Sequence, residues 1–385
     1  MGSTLAAPLP AERRAAAFPF GPVAAVILAK TLLTAAVLDR YGWHRDELYY
    51  AAAARHLSLG YVDFPPLTAV LAAAAHGLFG DSLFGLRFLA VASGAGVVVL
   101  STLIARDLGG GRRAQVTAAI VAGVTPFVLA ENTLFQPVSF DLLLSALLLW
   151  LAVRLALAPS RRLWVAIGAT VGVGLETKYT VGILAAALLL GFAVSRRDVL
   201  RLPDVALSAG IALVLFAPNL VWQAQHDWAS IRFFLHPGAS ATDESRPQFV
   251  GDLVLLAGLV TSPLWVSGFR RLWRDPRTRG LAWAAAVVVV FYLVAGGKSY
   301  YALPVFVLLL AAGAVSFEQW GWGRRGIALG AGAVALMSVV LLPVGVPVLP
   351  TSTMVKLHLT DARADYEDEI GWPQLVDQVA AVTRS

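Results

Sequence analysis

The sequence predicts an all-α polytopic membrane protein, and three observations carry that prediction: long apolar stretches recur along nearly the whole chain, arginine pairs punctuate them, and charge is scarce. Of 385 residues, 58% are hydrophobic and 14% charged, too apolar for a water-soluble domain of this length. The net charge is +6, but the basic residues form short Arg pairs between apolar runs. That is the pattern of membrane topology and argues against a nucleic-acid partner. Cysteine is absent, which excludes disulfides and thiolate metal sites and leaves any metal to carboxylate, His and water ligands.

A helix crossing about 30 Å of hydrocarbon at about 1.5 Å per residue needs roughly 20 apolar residues. Such stretches cover 18–38, 83–106, 114–130, 137–157, 163–176, 180–194, 203–221, 248–268, 281–295, 302–317 and 327–345, eleven in all. The first follows Ala-Glu-Arg-Arg-Ala with no small-residue cleavage site, so it reads as a span and not as a cleaved signal. If the N-terminus is cytoplasmic, Arg13-Arg14, Arg112-Arg113, Arg161-Arg162, Arg196-Arg197, Arg270-Arg271 and Arg324-Arg325 all gather on the inner side. Asp46, Glu47, Asp63, Asp81, Glu131, Asp227, Asp243, Glu244 and the acidic tail from Asp361 to Glu369 then face outward, as does the C-terminus. Residues 1–345 form the transmembrane domain on this reading, with 39–82 its first outward loop, and 346–385 a short outward tail. No period of repeat length indicates a solenoid.

The first outward loop is too long for a connector and predicts two interfacial helices. One runs from Asp46 to Leu59 with Leu48, Ala52, His56 and Leu59 on one face, and the second from Leu67 to Phe79 after the Pro65-Pro66 break. A second outward region, Trp222 to Gln248, is rich in Trp, His, Gly and Pro, and in the tail Gln374 to Val382 predicts a small capping helix after Gly371-Trp372-Pro373.

Candidate chemistry concentrates on the outward side. Asp46 and Glu47 are adjacent, so on a helix they diverge by about 100° and only one can serve a small site. The other then caps the helix, accepts a hydrogen bond or pairs with Arg45 or Arg55; the plainer alternative is a solvated helix start. Trp43, Tyr49, Tyr50 and Tyr61 surround them, suiting interface anchoring or sugar stacking. The prolines that follow Asp63-Phe64 hold Asp63 in a rigid turn, as a metal ligand, an acceptor for substrate or an ordinary turn residue. Acids beside spans need a cavity or a partner, which marks Glu131, Asp141 and Glu176; for Asp141, helix N-capping is the plainer reading.

Lys178 is the most informative cation. The apolar stretches on either side are only about 21 to 23 Å long as helices, so the turn from Glu176 to Thr180 stays recessed below the outer surface. A recessed ammonium needs an anion: a lipid-linked phosphate or a neighbouring carboxylate such as Glu176. Lys298, followed by Tyr300 and Tyr301, repeats the arrangement, with Arg232 and His236 adding positive character from the long loop. His56 and His226 are weaker candidates.

In order and spacing, Arg45-Asp46-Glu47-Leu48-Tyr49-Tyr50, Asp63-Phe64-Pro65-Pro66-Leu67, Phe140-Asp141-Leu142-Leu143, Thr177-Lys178-Tyr179 and Lys298-Ser299-Tyr300-Tyr301 resemble the bacterial family-39, or dolichyl-phosphate-mannose protein mannosyltransferase-like, glycosyltransferases, which include the aminoarabinose lipid A transferases. The resemblance runs through about Tyr301 and implies a GT-C bundle in the bacterial plasma membrane that moves a sugar from a polyprenyl phosphate to an acceptor hydroxyl of a lipid, glycan or protein. It implies inversion at the anomeric carbon, Asp46 as the base, no nucleotide in the active site, and Lys178 as first choice for the donor phosphate. By the same resemblance Asp63 is associated with a divalent metal, and Asp141 matches a second acidic position. Two positions depart from the aminoarabinose transferases: Phe64 stands where they carry a basic residue, and Tyr49 near where they carry an Arg. A flippase or transporter of an anionic lipid-linked sugar, with Lys178 and Lys298 lining the path, is the main alternative, although no internal symmetry marks the chain as one. An inactive scaffold subunit is the third.

Overall fold

The structure, a computed structural model, describes residues 16–235, 244–321, 324–359 and 363–384; Arg13, Arg14, His236, Asp243 and Asp361 lie outside the described residues. Every regular element among the described residues is helical. In chain order they are α1 (Phe20–Ala35), α2 (Arg45–Ala54), α3 (Leu67–Phe79), α4 (Leu83–Asp107), α5 (Arg112–Val124), α6 (Pro126–Glu131), α7 (Pro137–Leu157), α8 (Arg161–Leu175) and α9 (Thr180–Ser195). There follow α10 (Leu202–Gln225), α11 (Ala229–Leu235), α12 (Arg246–Leu256), α13 (Ser262–Arg274), α14 (Arg279–Ala295), α15 (Pro304–Gln319), α16 (Arg324–Gly345), α17 (Thr351–Lys356) and α18 (Trp372–Arg384).

Each apolar stretch read from the sequence is helical in the structure, but two are broken. The stretch 114–130 divides into α5 and α6 because Pro126 bars Thr125 from helical geometry, and Thr125 takes an extended ψ of 133°. The stretch 248–268 divides into α12 and α13, bent by 77°. Gly258 makes that bend with a φ of +90°, and Pro263 restarts the helix. Among the described residues, four helices are long and apolar enough to cross a membrane by length and composition, five if the bent pair is one span, and five further apolar helices are shorter.

Helix α15 is the axis of the bundle. It is apolar on every face and buried from Pro304 to Val315, as a helix surrounded by other helices must be. Its tightest neighbour is α13: Gly313 of α15 lies against the Leu264 carbonyl, and Gly268 of α13 against the Leu309 carbonyl, contacts that leave no room for a Cβ. Chain direction then sorts the helix ends. The starts of α4, α7, α9 and α15 and the ends of α6, α8 and α14 gather at one end, and the Arg-rich turns at the other.

The first loop carries two helices as expected, α3 with the expected bounds. Helix α2, however, ends at Ala54, five residues before Leu59, so His56 lies beyond the helix. The Tyr61 hydroxyl donates to the carbonyls of Ala53 at 3.2 Å and His56 at 3.0 Å, closing the chain on itself there.

Candidate active site

The N-terminus of α2 is built around Glu47. His44 caps the helix, its Nδ1 accepting from the Asp46 amide at 3.1 Å, while Glu47 Oε2 accepts from the His44 amide at 2.9 Å. Glu47 is completely buried, and its Oε1 also accepts from the Phe135 amide at 2.9 Å. Arg87 grips it in a two-pronged pair, Nε to Oε1 at 2.8 Å and Nη2 to Oε2 at 2.7 Å. The same guanidinium reaches the carbonyls of Leu38 and Gly42 and, at 3.0 Å, Glu369 Oε2 of the C-terminal tail. With its oxygens committed in this way, Glu47 is the one of the two acids that caps the helix and is not free for a catalytic role, and its cation is Arg87, not Arg45 or Arg55. Asp46, one residue away, is partly exposed, with the Arg45 Nε at 3.4 Å as its ion-pair partner.

Tyr49 and Tyr50 extend this edge. The Tyr49 hydroxyl donates to Asp63 Oδ1 at 2.8 Å, tying α2 to the proline turn. Tyr50 is buried edge-on against Phe64 and Phe135. Burial, and then the charges of Asp46 and Asp63, push its phenol well above the usual range, so it stays an O–H group near neutral pH. Phe64-Pro65-Pro66 is buried while Asp63 is exposed. Just after the prolines, the Leu67 amide donates to the Glu176 carbonyl at 2.9 Å, which fixes the first loop to the turn bearing Lys178.

Lys178 has no ion pair among the described residues. Its Nζ sits over the rings of Tyr301 at 4.5 Å and Tyr300 at 5.2 Å. Glu176, the nearest carboxylate in sequence, instead accepts from the Asn219 amide at 3.3 Å. Glu131 and Asp141 lie within reach of the Lys178 charge. Asp141 is not an N-cap: Gln136 holds that position, and Asp141 accepts from the Thr180 hydroxyl at 2.7 Å across to α9. Lys298 is exposed, 5.8 Å from the Tyr300 ring.

Other sequence candidates stand apart. The polar contacts of Arg232 among the described residues are the His226 carbonyl at 3.3 Å and Asp227 at 3.9 Å, within its own turn. His56 is exposed and lies beyond the C-terminal end of α2, whereas Asp46 sits in its first turn. Tyr61 stacks on Phe64 at 4.5 Å and spends its hydroxyl on loop carbonyls. Among the described residues no group of three or more His, Asp or Glu side chains converges, and Asp63 accepts from Tyr49 through one of its oxygens.

The tail was missed as part of the site. Besides Glu369, it brings Asp368 to 3.2 Å from the Arg45 Nε and 3.6 Å from His44 Nε2, and Asp365 to 3.1 Å from Arg363, in a position to act on Glu131 and Tyr300. Arg363, itself buried, anchors the segment to the carbonyls of Gly345 at 2.8 Å and Ala130 at 3.1 Å. Arg87 had a legible signal, being a charge in the apolar run Phe84-Gly85-Leu86-Arg87-Phe88-Leu89. The tail acids had none, because they reach the site by a return path of 282 residues.

Residues 63–222 match the family model of dolichyl-phosphate-mannose-protein mannosyltransferase. The crystal structure of apo ArnT from Cupriavidus metallidurans superposes with a TM-score of 0.65 at 19% identity, over 80% of this chain and 60% of that one. This chain has the GT-C fold. ArnT bound to undecaprenyl phosphate superposes at 0.62 and 18% identity, over 90% of this chain and 73% of that one. The archaeal oligosaccharyltransferase AglB from Archaeoglobus fulgidus, in complex with an inhibitory peptide and a dolichol-phosphate, shares the GT-C architecture at 0.53 and 13% identity, over 90% of this chain and 56% of that one. In sequence, the undecaprenyl phosphate-alpha-4-amino-4-deoxy-L-arabinose arabinosyl transferase of Pseudomonas aeruginosa (strain UCBPP-PA14) is 24% identical over 376 residues, 89% of this chain. That of Pseudomonas fluorescens, enzyme 1, is 26% identical over 357 residues, 80% of this chain. The chain spans 66% and 62% of the length of these two relatives. It is thus a GT-C relative of the aminoarabinose transferases and, with its apolar helices, a multi-pass protein of the bacterial inner membrane.

Proposed function

We propose that this chain is an inverting glycosyltransferase that moves a sugar from a polyprenyl phosphate to an acceptor hydroxyl at the outer face of the membrane. The observation that carries the reading is Lys178: an ammonium seated on two tyrosine rings, with no ion pair among the described residues, at the end of the bundle where Asp46 is partly exposed. Aromatic faces hold the cation in place without neutralising it, so its charge remains available to a phosphate.

Asp46 takes the acceptor proton as the acceptor oxygen attacks the anomeric carbon, and the bond from that carbon to the phosphate oxygen breaks with its electron pair left on the phosphate. Lys178 offsets the charge that grows there; Lys298 and the Tyr300 and Tyr301 hydroxyls flank it, and Tyr49, Tyr50 and Asp141 border the space for sugar and acceptor. The relatives named as transferases of an undecaprenyl-phosphate sugar support such a donor. They do not favour the transporter alternative. The topology that goes with this reading has eleven passes, a cytoplasmic N-terminus and an outward C-terminus. The alternation of helix ends between the Lys178 side and the Arg-rich side supports it.

Incubating the purified protein with radiolabelled polyprenyl-phosphate sugars and cell-envelope extract, with and without chelator, tests the reading. Label passing to an acceptor is the expected result. Donor translocated but never cleaved would replace the enzyme with a transporter, and loss of transfer on chelation would return Asp63 to the role of metal ligand.

A further inference from the structure

The end of the bundle opposite Lys178 holds a cavity of about 1150 Å³ between the ends of α4, α7, α13 and α15. Its wall carries four arginines, Arg270, Arg271, Arg274 and Arg277, against two acids, Asp107 and Asp275. Both acids are engaged: Asp107 accepts from the Trp150 indole N–H at 2.9 Å, and Asp275 pairs with Arg277 at 3.1 Å. Arg271 is fixed in the wall by bonds to Gln319 Oε1 at 2.9 Å and the Leu108 carbonyl at 3.2 Å. Arg270 and Arg274 have no carboxylate partner among the described residues, and four residues apart on α13 they lie one turn above the other on a single face. The opposite face of α13, through Leu264, Gly268 and Leu272, is packed into the bundle, so the helix presents this pair to the cavity as part of its fold.

Topology alone asks for positive charge on this side, not for two unpaired guanidiniums on one wall of a recess. Beside them Trp273 is exposed, stacked at 5.7 Å on Phe269 and 5.0 Å from Trp283, an aromatic cluster of the kind that sits at lipid headgroup level. We propose that this cavity binds the phosphodiester headgroup of an anionic phospholipid from the leaflet at this end, with Arg270 and Arg274 as the phosphate ligands.

The full chain, reconstituted in nanodiscs of phosphatidylcholine with or without phosphatidylglycerol, is the material for the test, and retained phosphatidylglycerol per protein is the readout. Replacing R270A and R274A together should weaken retention about 30-fold, the effect of two interfacial arginines. R270K with R274K should restore most of it, and R161A with R162A, which removes equal charge from the same end outside the cavity, should leave it unchanged. Equal loss in both alanine pairs, or no loss in either, overturns the proposal. Displacement of the lipid by inorganic phosphate would make the ligand a soluble anion and overturn the lipid assignment.

Discussion

Arg87 and Glu47 form a two-pronged ion pair, at 2.8 and 2.7 Å, in which neither side chain meets solvent. The pair sits directly beside Asp46, because Glu47 closes the α2 cap whose first turn Asp46 occupies. A buried pair of this kind contributes little when whole and costs much when halved, since the survivor is left charged and unsolvated.

Arg87→Met should therefore lower stability by about 3–5 kcal/mol. Thermal unfolding in detergent should show a large downward shift for this variant and almost none for Asp46→Asn, whose side chain is partly exposed.

The same guanidinium serves a second carboxylate, Glu369 of the tail, at 3.0 Å. Burial pushes that carboxyl up to about 7, with Arg87 and Arg363 pulling it down and Glu47 pushing it up, and Glu369 Oε1 is buried without a hydrogen bond. Because the folded value lies above the ordinary 4.5, the group favours the docked tail fully below about pH 4.5, and that contribution is lost as pH rises through about 7. Limited proteolysis of the tail should become faster as pH rises from about 4.5 to about 7 and level off above that, and Glu369→Gln should flatten the profile by keeping the group neutral.

Lys178 and Lys298 share the Tyr300 ring, but only Lys178 is also seated on Tyr301. Lys178→Met should lower the transfer rate by about 10²–10³-fold, the scale for losing one preorganised group that stabilises developing charge. Lys298→Met, at an exposed site, should cost less than about tenfold. Steady-state assays on labelled donor separate the two, and equal losses would deny Lys178 its special place.

Asp63 receives the Tyr49 hydroxyl at 2.8 Å. Tyr49→Phe frees that carboxylate at an exposed position, where a hydrogen bond is worth about 1 kcal/mol, so stability should barely change. A metal role for Asp63 would show itself differently, as chelator-sensitive transfer in both proteins.

The helices were legible because burial in lipid or among other helices demands long apolar runs, and each run read from the sequence is helical, two of them as broken pairs. The breaks at Pro126 and Gly258 were harder to read: both lie inside predominantly apolar runs, and local backbone chemistry interrupts them. Asp46, Asp63, Asp141, Lys178 and the Tyr300-Tyr301 pair stand out in the sequence as polar residues in or beside apolar runs. That Glu47 turns inward was only half legible; a cap or ion pair was foreseen for one of the two acids, but its partner Arg87 lies 40 residues on in another helix. The share of the tail, through Asp365, Asp368 and Glu369, was not legible at all, since nothing local distinguishes a docked acidic segment from a solvated one.

The central claim is that Asp46 is the base and Glu47 its support. Transfer from labelled polyprenyl-phosphate sugar by Asp46→Asn, in protein shown to unfold at the wild-type temperature, tests it most directly. Intact folding and donor binding are expected, with transfer lowered by about 10²–10⁴-fold, because an amide cannot accept the proton. Transfer at the wild-type rate in that variant would contradict it.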